Sequence, residues 1–255
     1  MSRQSPLHER TGKTGRLAVV DLARGVALVA MTVFHFCWDL EMFALVRPGF
    51  MAQPGAIWSA RIIAGSFLFL VGFSLFLAHG RHFVLQPYLK RLAMVAAAAA
   101  VISLATWYFT PDAFIFFGIL HCIAVSSVIG LIFLRLPWWI TALCGAFVVS
   151  MRSTLQTAAL DDPWWWWSGL SQFIPRSNDY VPLFPYLGMV LIGIAAGRLV
   201  LEAGLTARLA GPQLEQAPAR LLRFIGRHSL VYYLLHQPVM IALLYAVLKI
   251  SGRIL

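Results

Sequence analysis

Charge is what this sequence has least of. Asp, Glu, Lys and Arg make up 12% of its 255 residues, about half the share found in soluble domains, and mean hydropathy is +0.78. A soluble globular architecture is thereby excluded, and a polytopic membrane protein in the lipid bilayer is expected. Cysteine is also scarce. Cys37, Cys122 and Cys144 all fall in apolar runs, with no Cys-x-x-Cys pair and no even set for a disulfide framework. All three are expected to be free packing residues, and no metal site is expected. There is no P-loop, no Gly-x-Gly-x-x-Gly after a strand and no soluble nucleotide-binding stretch, which argues against an ATP-driven pump. Internal repeats and low-complexity tails are absent as well. The net charge of +10 raises the question of nucleic acid, but topology accounts for it better, and no nucleic-acid partner is expected.

Apolar runs are what the chain has in abundance, at 60% hydrophobic residues. Taking about 20 residues as one crossing, seven spans fit: 17–40, 56–78, 88–109, 113–134, 138–151, 181–201 and 229–250. The expected fold is all-α, a bundle of about seven transmembrane helices forming one domain over 17–250. A basic tail (1–16) precedes it and a short tail (251–255) follows. The basic start followed by an apolar run resembles a signal peptide. The run is too long, holds Asp21 and Arg24 and lacks a small-residue cleavage pattern, so it reads as an uncleaved first span. Ala96–Ala100 in the third span permits close helix approach. Pro182, Pro185 and Gly188 are expected to bend the start of the sixth.

Lys and Arg divide unequally between the two sets of helix ends. Thirteen lie on the side of the N-terminus, six on the other side, and Arg24 lies inside a span. The positive-inside rule therefore predicts a cytoplasmic N-terminus and an outer C-terminus, in a bacterial cytoplasmic (inner) membrane. Two loops exceed tight turns. The outer one, 152–180, carries Trp164–Trp167, which read either as an interfacial anchor or as a stacking platform for sugar rings or a lipid-linked acceptor. The inner one, 202–228, ends in a stretch suited to a short basic amphipathic helix on the cytoplasmic surface.

The first span is unusually polar. Asp21, Arg24, His35 and Asp39 fall on one helical stripe, and Arg24 and His35 are separated by about 16 Å along the axis. Ionisable groups inside a span mark functional paths. The plainer reading of Asp21 and Arg24 is an ion pair snorkelling at the interface. His35 lies toward the outer face and is placed to act as a general base near neutral pH. Asp39, at i+4, is placed to hold its tautomer and stabilise the imidazolium. Arg24, nearer the cytoplasm, suits an anionic ligand as a charge-assisted partner, with Asp21 positioning it. His121 and His236 are further candidates for lining the same cavity. For each, a histidine packed and hydrogen-bonded within the bundle is an equal alternative.

The segment VDLARGVALVAMTVFH resembles the first-helix signature of the integral-membrane acyltransferase superfamily, in which acyltransferase family 3 places ten residues between an arginine and a histidine. Arg24 and His35 match that spacing. GRHSLVYYLLHQPV resembles the superfamily's closing helix, with Ser229, Tyr233, Leu234, His236 and Pro238 at the matching positions. This makes Tyr233 a further cavity-lining candidate. With FFGILHCIAVS and PLFPYLGMVLIGIAAGR, the chain is most similar to small bacterial members of the heparan-alpha-glucosaminide N-acetyltransferase catalytic-domain family, from about Arg16 to Tyr245.

The resemblance implies acyl transfer across a membrane. A cytosolic acyl-CoA, usually acetyl-CoA, would be the donor, and the acceptor a hydroxyl or amine of an envelope glycan, a glycolipid or another lipid-linked or exported molecule. Oligomers are compatible with it. One departure is evident. In the lysosomal branch the catalytic histidine lies in the loop after the first helix, whereas this chain has none between Glu41 and Gly55. Either His35 takes over, as in acyltransferase family 3, or this branch is not catalytic in the same way. The chain is also shorter than the larger relatives, and no acceptor-recognition domain is expected in it, so the acceptor is expected to be small, lipid-linked or presented by a partner. Two other readings stay open: a haem- or quinone-binding redox protein, with His35 and His121 at similar depth as ligands, and a transporter without enzymatic activity.

Overall fold

The apolar runs become helices, and no strand occurs among the described residues. A computed structural model describes residues 17–206, 209 and 216–253. The basic tail 1–16, Arg208 with the Gly211–Pro212 part of the inner loop, and residues 254–255 of the closing tail lie outside the described residues. The helices are α1 (Ala18–Met42), α2 (Pro54–His79), α3 (Leu85–Phe109), α4 (Ile119–Phe133), α5 (Trp138–Ser150), α6 (Leu183–Glu202), α7 (Ala217–Arg227) and α8 (Ser229–Ile250). A single helical turn, Arg152–Leu155, and two 3-10 turns occupy the long loop before α6.

Helices α1, α2, α3, α6 and α8 are long and apolar enough to cross a membrane. The fourth and fifth expected spans are shorter, 15 and 13 residues. They span about 22 and 20 Å, against a hydrocarbon core of about 30 Å. The fourth was expected from Ala113, but its helix begins only at Ile119. Pro111–Ala113 forms a 3-10 turn and Phe114 is extended. Non-helical backbone at membrane depth survives only where protein satisfies it, and here it is satisfied. The Ile115 N–H donates to Thr106 Oγ1 at 2.9 Å, and Ser103 Oγ donates to the Ile115 carbonyl at 2.6 Å. The Val181 N–H donates to the Phe117 carbonyl at 3.2 Å. Ile115 and Phe117 are buried.

Helix α6 forms the centre. Val190, Leu191 and Ile194 are buried on it and join Leu68 of α2 in the main core. The start of α6 is irregular, as the prolines imply: Phe184 is non-helical and its bond to Pro185 is cis. Glycine permits the close approach of α2 and α6. A Cβ on Gly72 would strike the Val190 backbone, and one on Gly193 would strike that of Phe69. Small residues at such crossings let backbones touch where no hydrophobic effect drives helices together. Gly72→Leu is therefore expected to destabilise the bundle by about 3 kcal/mol or more, the upper range for overpacking. Thermal unfolding in detergent would show it as a lowered midpoint. In α3, by contrast, only Ala98 and Ala99 of the alanine run are buried, so this helix lies at the periphery.

The expected basic amphipathic helix is present as α7, but it does not lie free on a surface. It docks on α1 through two glycines. Gly25 faces the Leu222 backbone and Gly226 faces that of Asp21, each too close for a side chain. This contact brings Arg227 beside the first helix.

Candidate active site

The polar stripe of α1 faces inward. Asp21 and Asp39 are buried, at 2% and 0% exposure, and Arg24, Thr32 and His35 are partly buried. Asp21 sits between two guanidinium groups. Arg24 Nη1 lies 3.5 Å from Asp21 Oδ1, and Arg227 Nε lies 3.2 Å from Oδ2. Arg24 Nη2 also donates to Ser74 Oγ of α2 at 2.5 Å. Arg24 is thus held by α1 and α2, and Arg227 of α7 shares its Asp21 partner, whereas an interfacial ion pair would leave it extended toward solvent.

Arg24 and Arg227 border a cavity of about 500 Å³ between α1, α2, α3, α4 and the α7–α8 junction. Arg24, Arg91 and Arg227 all line it. Most of its remaining wall is apolar, including Leu28, Phe67, Leu70 and Leu120, and Tyr233 lines it from α8. Three cations on an apolar pouch suit a ligand with an anionic head and a less polar arm, because guanidinium pairs phosphate oxygens in fixed, forked geometry. In the sequence, Arg91 and Arg227 are cations at helix ends. Their position beside apolar runs gives no sign that they converge with Arg24.

Further along α1, His35 meets His236 of α8. Their rings are 5.1 Å apart, centroid to centroid, edge to face. His236 Nδ1 lies 2.7 Å from the Tyr233 carbonyl. A carbonyl only accepts, so Nδ1 carries the proton and Nε2 is left with its lone pair. That Nε2 is buried and has no hydrogen-bond partner among the described residues. Beside the pair, Tyr232 stacks parallel to His236 with centroids 6.3 Å apart, and its hydroxyl lies 2.8 Å from Thr32 Oγ1.

Asp39 has a different partner from the one its spacing implied. Gln237 Nε2 donates to Asp39 Oδ1 at 2.5 Å, and no hydrogen bond joins Asp39 to His35 among the described residues. The i+4 spacing brings the two side chains onto one face, but α8 supplies an amide that reaches the carboxylate first. The α1 stripe is thus tied to α8 at both Asp39–Gln237 and Thr32–Tyr232.

His121 is not brought to the His35–His236 pair. The Gly118 N–H donates to its Nδ1 at 3.2 Å, and Nε2 lies 3.2 Å from Ser103 Oγ. Both ring nitrogens are used to fasten the irregular segment before α4. Tyr233 lines the cavity, and its hydroxyl donates to Asp179 Oδ2 at 3.2 Å. The same oxygen accepts from the Ile119 N–H at 3.0 Å, at the start of α4. Desolvation pushes the Asp179 carboxyl above the usual carboxylate range, and these two hydrogen bonds oppose the shift. Asp179 carries no sequence signal beyond being an acid just before the proline-rich start of α6. The tryptophan run divides. Trp164 is 84% exposed, while Trp166 packs on Phe116 and Phe173, and its indole N–H donates to the Asp161 carbonyl at 2.9 Å. Asp161 itself orders this loop. The Ser171 hydroxyl and the N–H groups of Phe173 and Gln172 hold its carboxyl below the ordinary range against some desolvation.

No curated protein and no solved structure matches the chain. A family model does match, described as "Heparan-alpha-glucosaminide N-acetyltransferase, catalytic", over residues 16–238. The match takes in the α1 stripe, all three cavity arginines and the His35–His236 pair. The chain therefore belongs to the heparan-alpha-glucosaminide N-acetyltransferase catalytic family, a family of membrane transferases, and is a multi-pass membrane protein of that kind.

Proposed function

We propose that this protein moves an acetyl group from acetyl-CoA to a hydroxyl or amine of an envelope glycan, glycolipid or similar acceptor. The observation that carries this reading is the cavity in which Arg24, Arg91 and Arg227 share largely apolar walls, with Tyr233 in its lining about one helical turn along α8 from His236. In the orientation given by the loop charges, that cavity opens toward the cytoplasm, where acetyl-CoA is. The guanidinium groups bind its phosphates and the apolar wall takes the pantetheine arm. The thioester then lies near Tyr233 and the two imidazoles.

The acceptor oxygen or nitrogen attacks the thioester carbonyl, a carbon–oxygen or carbon–nitrogen bond forms, and the carbon–sulfur bond breaks. The imidazole pair takes the acceptor's proton and returns it to the departing sulfur. His236 is already held in the tautomer that can accept a proton at Nε2. Asp39 acts as a positioning residue, holding α8 against α1 through Gln237.

The test is reconstitution into proteoliposomes with acetyl-labelled CoA and an envelope extract as acceptor source. Label on the acceptor, matched by an equal release of CoA thiol, is the expected result. Solute uptake with no consumption of acetyl-CoA would replace this reading with transport.

A further inference from the structure

A second hollow borders His236, and it lacks the arginines that mark the first cavity. It has a volume of about 510 Å³ and lies between Thr32 of α1, Phe224 and Ile225 of α7, and one face of α8. On α8 its wall is the stripe His228, Val231, Tyr232, Leu235, His236, Val239 and Met240. These positions follow i, i+3, i+4 spacing and run for about 18 Å along the helix. Among the described residues, no Asp, Glu, Lys or Arg lines it. Phe224, Val231, Leu235 and Val239 remain exposed, so the groove opens sideways from the bundle onto the surface that bilayer lipid would cover. It reaches the reaction centre from that side: His236 and the Thr32–Tyr232 hydroxyl pair lie in its wall. The two spaces share His228 and Val231 at the start of α8 and diverge beyond them, Tyr233 lining the cavity and Tyr232 the groove.

We infer that the acetyl acceptor is lipid-linked, with its apolar chain in this groove and its hydroxyl or amine presented to His236. The inference rests on the acetyl-transfer reading and narrows its acceptor class. A water-soluble sugar would gain nothing from a long uncharged wall open to the bilayer. An acyl or prenyl chain fits it, and the groove's only polar groups besides His228 lie where a head group would react. Two substrates with unlike chemistry then meet at adjoining faces of α8, the anionic donor from the arginines and the amphiphilic acceptor from the membrane.

Membranes containing the overproduced protein, incubated with acetyl-labelled CoA and partitioned between organic solvent and water, provide the test. Protein-dependent label is expected in the organic phase. Val239→Trp, which fills the groove without touching the arginines, is expected to lower that label at least tenfold while thermal stabilisation of the protein by acetyl-CoA persists. Leu243→Trp, on α8 outside the groove, should label like the wild type. Label confined to the aqueous phase, or wild-type labelling by both Val239→Trp and Leu235→Trp, would overturn the inference and leave acetyl transfer standing. Protein-dependent label in neither phase, together with no stabilisation by acetyl-CoA, would overturn both.

Discussion

Replacing His35 with alanine is expected to lower the acetyl-transfer rate by about 10²–10⁴, the usual contribution of a positioned general acid–base group. His236→Ala is expected to do the same. The two rings touch, at 5.1 Å between centroids, and residues that act as a unit lose most of their effect with the first substitution. The double variant should therefore be little slower than either single one. Membrane insertion and thermal unfolding should change little, because His35 is only partly buried and its removal leaves no buried charge. Donor binding should also persist, since the cavity lining includes neither ring. The defect should appear in kcat rather than in the affinity for acetyl-CoA. Wild-type turnover by His35→Ala would remove that residue from the mechanism and leave His236 to act alone.

Arg24→Ala is expected to have the opposite kinetic signature. Hydrogen bonds to charged groups contribute about 1.5–3 kcal/mol, so losing one phosphate contact should weaken acetyl-CoA binding roughly 10- to 150-fold. The loss should register mainly in KM when acetyl-CoA is varied. Arg24→Lys should recover part of it, because lysine restores the charge but not the fork that also reaches Ser74. A phosphate-free control isolates the cause. Pantetheine should stabilise the wild type and Arg24→Ala equally weakly, whereas CoA should distinguish them. Equal stabilisation of both proteins by CoA would mean that Arg24 only holds Asp21. In that case Arg91 and Arg227 would carry the donor's charge.

The bundle was legible because its signals are local. An apolar run of about 20 residues must satisfy its own backbone in lipid, and only a helix does so within one segment. The ends of α8 coincide with the expected span, and those of α2 and α5 fall within two residues of it. The start of α4 was not legible. Residues 114–118 are as apolar as a helix, and what holds them open is a set of partners from α3 and from the distant 178–181 segment. Hydropathy carries no information about such partners.

The site divides along the same line. The α1 stripe follows from 3.6-residue periodicity, so Asp21, Arg24, His35 and Asp39 could be placed on one face from spacing alone. Which group each of them meets depends on another helix. Asp39 is bonded to Gln237, His121 is occupied by Ser103 and Gly118, and His35 faces His236.

By itself, then, the sequence determined a membrane helix bundle and an inward polar face on its first helix, since both follow from the period and polarity of neighbouring residues. Only the tertiary structure decided that Arg91 and Arg227 join Arg24, that His236 rather than Asp39 partners His35, and that an apolar groove reaches the same pair. Those choices depend on glycine-mediated approaches such as Gly25 to Leu222 and Gly226 to Asp21. There the absence of a side chain sets how closely two helices approach, and so which residues distant in sequence share a cavity.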